Sequence, residues 1–97
     1  MTLHILPVSP WSGDAFERCC AALAPGDELL LLGDGVYAVR AGATAAVGGI
    51  AGAARIHALG EDCAARGIEV PCAGVIMTDY GGFVTLAAEH ERSVTWL

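Results

Sequence analysis

Residues 28–32, Glu28-Leu29-Leu30-Leu31-Leu32, decide the fold. Four leucines in a row cannot alternate between core and water, so a strand made of them must be covered on both faces. That is the pattern of a parallel sheet sandwiched by helices. Turn chemistry bounds the run on each side, with Pro25-Gly26-Asp27 before it and Gly33-Asp34-Gly35 after it.

Outward from this strand the chain alternates. Residues 2–8 (TLHILPV) read as a strand, followed by the loop residues Ser9-Pro10-Trp11-Ser12-Gly13. Asp14 then stands as N-cap or early-turn acid for a helix to about Leu23, whose apolar face is Phe16, Cys19, Cys20 and Leu23. Beyond the leucine run, Val36 to Val39 reads as the start of a short helix, with a strand as the alternative. Residues 41–54 are a Gly/Ala-rich connector, read as a loose helix around 44–52. Ile56 to Leu59 is a third strand, and Glu61 to Arg66 a short helix ended by Gly67. Gly74 to Thr78 is a fourth strand. Asp79 caps a helix to about His90 that turns Phe83, Leu86, Ala87 and His90 to one side, and Ser93 to Leu97 is the last strand. The expected architecture is α/β: one domain over residues 1–97, with an open, mainly parallel sheet and helices on both faces.

Composition limits the function classes. The chain has 97 residues, 55% of them hydrophobic and 16% charged. An ordinary soluble domain carries about 25% charged residues, so a free monomer of this composition leaves apolar surface uncovered, and an oligomer is expected. The longest uncharged run, between Arg40 and Arg55, is too short for the roughly 20 residues of a bilayer span. No positive region precedes the first apolar stretch, since the first basic residue is Arg18, so no signal peptide is expected and the location reads as cytoplasmic. A net charge of −6, with the five arginines (18, 40, 55, 66 and 92) scattered, argues against direct nucleic-acid contact.

Chemistry is sparse. The four cysteines (19, 20, 63 and 72) form no CxxC and match no zinc spacing, so no metal is expected and most read as small buried hydrophobes. Gly33-Asp34-Gly35 lacks the GxGxxG spacing, and the chain has no lysine for a phosphate loop; no cofactor is implied. Ser9, Asp34, Glu61, Asp62, Asp79 and Tyr80 fall at the carboxyl ends of the strands, where ligands of such sheets bind. The acids also stand where helices begin and so serve as caps or dipole partners. His4 and His57 read as satisfied strand histidines, and His90 as a dipole partner at a helix end. Cys19 and Cys20 sit mid-helix, away from a terminus that would lower a thiol pKa.

Taken together, several segments resemble the DsrH/TusB family of sulfur-relay subunits. They are Leu3-His4-Ile5-Leu6, Ser9-Pro10-Trp11, Gly26 through Leu32, and Asp34-Gly35-Val36-Tyr37-Ala38. Ala58-Leu59-Gly60-Glu61-Asp62 with Ala65-Arg66-Gly67 follow, then Asp79-Tyr80-Gly81-Gly82-Phe83-Val84, and finally Ser93 through Leu97. The resemblance implies the α/β fold of the DsrEFH-like proteins and a heterohexamer with DsrE/TusD-type and DsrF/TusC-type subunits. It implies the passage of persulfide sulfur toward 2-thiolation of a tRNA wobble uridine, or, for DsrH-type members, dissimilatory sulfur oxidation. The principal sulfur-accepting cysteine of such complexes lies on the DsrE/TusD subunit, which makes this chain a non-catalytic or auxiliary part of a sulfurtransferase. Cys19 matches the first-helix cysteine of some DsrH-type members and is the candidate auxiliary persulfide carrier. The reading from a different class is a stand-alone small-molecule-binding module using the strand-end acids with Tyr37 or Tyr80.

Overall fold

The computed structural model describes residues 1–40, 55–69 and 74–97. The expected loose helix around 44–52 and Cys72 lie outside the described residues. Five strands, β1 (Thr2–Leu6), β2 (Glu28–Leu31), β3 (Arg55–Leu59), β4 (Val75–Thr78) and β5 (Arg92–Thr95), form one sheet in the order β4-β3-β2-β1-β5. Every neighbouring pair is parallel. Among the described residues, three α-helices, α1 (Ala15–Ala22), α2 (Gly60–Ala65) and α3 (Tyr80–Glu89), and a 3-10 helix (Gly33–Val39) connect the strands. The single-domain α/β sheet expected from the sequence is the fold observed.

The leucine run sits at the sheet centre, and its alternate side chains feed two cores. Leu29 and Leu31 face the same side as Leu6, Ile56 and Ala58. There they pack with Phe16 and Cys19 of α1, with Val36, Ala38 and Val39 of the 3-10 helix, and with Cys63 of α2. Leu30 faces the other side with Leu3, under Leu86 and Phe83 of α3. Leu3, Leu6, Leu29, Leu30 and Leu31 are all fully buried. Helices therefore cover both faces, and the continuous apolar run is the direct cause.

Several boundaries differ from expectation, each for a local reason. β1 stops at Leu6 rather than at residue 8, because Pro7 has no N–H to extend the ladder. Gly33-Asp34-Gly35 does not merely end β2; it forms the first turn of the 3-10 helix, entered through Gly33 at φ +52°. β5 begins at Arg92 and ends at Thr95, although the Trp96 N–H still donates to the Ile5 carbonyl. Asp14 precedes α1 but caps nothing; its carboxylate accepts from Arg18 Nε at 3.0 Å instead. On α1 Phe16 and Cys19 are buried while Cys20 and Leu23 are only half-buried, and on α3 Ala87 faces solvent.

Asp79 is the cap the sequence suggests, accepting from the Gly82 N–H at 2.7 Å. Asp79→Ala is expected to cost about 1 kcal/mol, read as a lowered urea midpoint with an unchanged slope.

The edge strands leave apolar groups in water. Ile76 and Met77 on β4, Tyr80 and Val84 on α3, and Val94 on β5 are all exposed. No helix among the described residues is long and apolar enough to cross a membrane.

Candidate functional site

The carboxyl ends of the strands hold the acids that the sequence singles out; Asp34, Asp62 and Asp79 are engaged within the chain, while Glu61 and Tyr80 are exposed. Asp34 Oδ1 accepts from both Nε and Nη2 of Arg66, at 3.0 and 2.9 Å. Asp62 Oδ2 accepts from the Gly33 N–H at 2.7 Å, tying α2 to the turn after β2. Asp79 is spent on its cap, and the Ser9 hydroxyl accepts from the Trp11 N–H within the β1–α1 loop. The structure therefore does not bring these residues together as a catalytic set. Among the described residues no group of three or more His, Cys, Asp or Glu side chains is arranged to hold a metal ion.

The thiols are similarly subdued. Cys19 has no exposed surface, and burial, reinforced by the adjacent Cys20 thiol, pushes its pKa up to about 12. Against an ordinary 9.0, that leaves about a thousandfold less thiolate at a given pH. Cys20 is half-buried and is also raised, first by burial. Cys63 is buried and raised by burial and then by Asp62, with Arg66 opposing. The thiolate is the nucleophile, so in this conformation α1 presents no activated sulfur. Alkylation of the native chain with iodoacetamide is therefore expected to label Cys20 before Cys19 and Cys63, and denaturant should abolish the order. Peptide mass mapping over time checks this, and equal native rates at Cys19 and Cys20 would contradict the burial.

The histidines do what strand and helix-end histidines commonly do, but with partners the sequence did not connect. His57 Nε2 lies 3.0 Å from Glu28 Oε1 across the β2–β3 pair. His90 Nδ1–H donates to the Leu86 carbonyl at 2.7 Å, at the C-terminal end of α3. Its Nε2 is 2.7 Å from Glu28 Oε2 but out of line for a hydrogen bond. His4 belongs to a longer chain of contacts. Trp96 Nε1–H donates to His4 Nδ1 at 3.1 Å, which places the ring proton on Nε2, and Nε2–H donates to Asp27 Oδ2 at 2.9 Å. The two rings are stacked, 6.1 Å apart at 15°. Asp27 also accepts from the Thr2 N–H at 2.9 Å and the Ala24 N–H at 3.0 Å. In the sequence Asp27 stands only as part of the turn before β2, and this network is not legible there because its members lie 23 and 92 positions from one another.

Comparison with known proteins resolves what the geometry leaves generic. The family described as DsrH like protein matches residues 8–93. The chain belongs to the DsrH family. It is 38% identical over 95 residues to Protein TusB of Escherichia coli strain K12, covering 97% of this chain and 99% of that protein. Protein TusB of Shigella sonnei is matched to the same extent. In this DsrH-family chain the resembling segments fall at defined places. Gly26 through Leu32 contains the central strand, Asp79 to Val84 is the cap and first turn of α3, and Ser93 through Leu97 covers most of edge strand β5 and the Trp96 that binds His4. Cys19 lies on α1, facing the core rather than solvent.

Proposed function

We propose that this chain is a mainly structural subunit of a cytoplasmic sulfur-relay complex that passes persulfide sulfur toward 2-thiolation of a tRNA wobble uridine. The observation that carries the reading is the near end-to-end similarity to Protein TusB. Two physical features support it. The described thiols are protonated and largely buried, which suits a structural role better than a sulfur-accepting one. The exposed apolar residues of β4, α3 and β5 supply surface for association. The partners in this reading are DsrE/TusD-type and DsrF/TusC-type subunits in a heterohexamer, and the chain, a single domain over residues 1–97, makes no direct contact with nucleic acid.

Cys19 enters as an auxiliary carrier that works only when α1 opens. Its thiolate would attack the terminal sulfur of a donor persulfide, forming Cys19 persulfide as the old S–S bond breaks and the donor leaves as thiolate. Burial opposes both the ionisation and the approach. The match to the DsrH family favours a second reading, a subunit serving sulfur oxidation in the same kind of assembly. Asp34, Asp62 and Asp79, engaged as they are, give a stand-alone small-molecule module little support.

Co-expression with DsrE/TusD-type and DsrF/TusC-type subunits tests the assembly. A single species larger than the chain alone is expected, and a chain that stays monomeric and ignores both sisters sinks the proposal. Loading that complex from a persulfide donor, followed by mass mapping, tests Cys19. Sulfur found only on a partner removes its carrier role while leaving the structural one.

A further inference from the structure

A cavity of about 540 Å³ opens beside edge strand β5, and neither a cysteine nor a strand-end acid lines it. Its walls are mostly apolar: Met1, Ala22, Ala24, Pro25, Val94 and Trp96. The remaining lining residues are Thr2, His4, Asp27 and Arg92. The hydrogen bonds these four residues already make determine what a ligand would meet.

Nearly every polar group is committed. The Trp96 indole N–H goes to His4 Nδ1, and His4 Nε2–H goes to Asp27. Asp27 takes two backbone N–H groups besides, so its charge is spread into fixed donors and its side chain is 9% exposed. Arg92 stands directly opposite Thr2 in the β5–β1 pair and donates its Nε–H to Thr2 Oγ1 at 3.1 Å. That bond fixes the guanidinium plane, while neither Nη group has a partner among the described residues. Among the described lining residues, the Thr2 hydroxyl hydrogen and the Met1 α-ammonium are the other donors left over. All of these uncommitted groups donate, so the ligand must accept. With Arg92 and the Met1 α-ammonium positive and Asp27 negative, the lining carries one net positive charge, which matches one negative charge on the ligand; a dianion would leave its second charge uncompensated against apolar walls. The volume suits a small molecule, since such sites run about 300–1,000 Å³.

We propose that this cavity binds a small monocarboxylate with an apolar body. The carboxylate sits on the Arg92 Nη groups, a bidentate arrangement that arginine favours. The body lies against Val94, Trp96 and Pro25. The site is independent of the sulfur-relay reading, because it uses no thiol and no partner subunit.

The two tryptophans make the test specific. In the full chain labelled with ¹⁵N, hexanoate and hexanamide are titrated in parallel while both indole N–H signals are followed. Trp96, on the cavity wall, should shift saturably with hexanoate; Trp11, 60% exposed and outside the cavity, should not. Hexanamide should bind about tenfold more weakly, the loss of one charge-assisted pair. Arg92→Gln, at an exposed position, should keep the dispersed spectrum and lose hexanoate affinity by a similar factor, with Arg92→Lys in between. Equal response to acid and amide, an unchanged R92Q titration, or Trp96 and Trp11 moving together without saturation would each overturn the site.

Discussion

Replacing Asp27 by alanine is expected to destabilise the chain more than any other single side-chain deletion outside the leucine core. The carboxylate accepts from Thr2 N–H, Ala24 N–H and His4 Nε2–H, and in doing so ties the start of β1 to the turn that precedes β2. Without it three donors lose their acceptor in a region where Thr2 and His4 are under a tenth exposed. Each buried unsatisfied group costs about 1–3 kcal/mol, and water entering from the adjacent cavity recovers part, so a loss of about 3 kcal/mol is expected. With a urea slope of about 1–3 kcal/mol per molar, the midpoint should fall by roughly 1–3 M. Combining Asp27→Ala with His4→Phe should cost clearly less than the sum, since the pair shares one network. A midpoint within error of the parent would show that the network carries no stability.

The same residue sets a pH signature. Burial by itself would raise the Asp27 pKa, but the hydrogen bonds from Thr2, His4 and Ala24 outweigh it and hold the group at about 2, below its ordinary 3.8. A depressed folded-state pKa contributes stability that is present above the unfolded value and is lost as pH falls through the folded one. The stability gap between parent and Asp27→Ala should therefore be full at neutral pH and shrink between about pH 4 and about pH 2. Chemical denaturation of both proteins across that window reads it directly; a gap that stays constant to pH 2 contradicts the assignment.

The second large effect is expected at Gly35. A Cβ built there overlaps the backbone carbonyl oxygen of Leu6 and comes within 3.4 Å of the Val8 carbonyl oxygen. The Leu6 carbonyl also accepts from the Leu32 N–H at 3.3 Å, so it cannot retreat without breaking the link between the ends of β1 and β2. Gly35→Ala is expected to cost at least the ~1–3 kcal/mol of ordinary overpacking, because backbone rather than a side-chain tip must move. Gly67→Ala, in open space at φ +71°, is the control: it bears the backbone strain alone. Thermal melts of the two should rank Gly35→Ala well below Gly67→Ala, and the opposite order would mean that the close approach is not rigid.

How far the sequence reaches is visible in particular residues. The leucine run was legible because burial on both faces leaves no alternation, and Asp79 because a cap is a local interaction within three residues. Cys63 was legible as packing, and it is buried. Asp14 was misleading: a carboxylate before a helix has two local uses, and the pairing with Arg18 four residues on wins over capping. The 3-10 helix began earlier than expected because only the approach of Gly35 to the Leu6 carbonyl shows why glycine stands there. The candidate site was least legible. Arg92 and Thr2 face each other, and Trp96, His4 and Asp27 form one chain, only after strand pairing brings the two ends of the sequence side by side.

What the sequence by itself determined is the architecture, through the unbroken apolar run and the alternation around it, and the family, through ordered segments along nearly the whole chain. Tertiary structure alone decided the state of the functional groups. Whether a thiol is buried, whether an acid is already engaged, and which guanidinium keeps Nη groups without a partner among the described residues depend on neighbours tens of residues away. Burial and hydrogen-bond satisfaction are properties of packed surfaces, and the order of the residues does not display them until the sheet has formed.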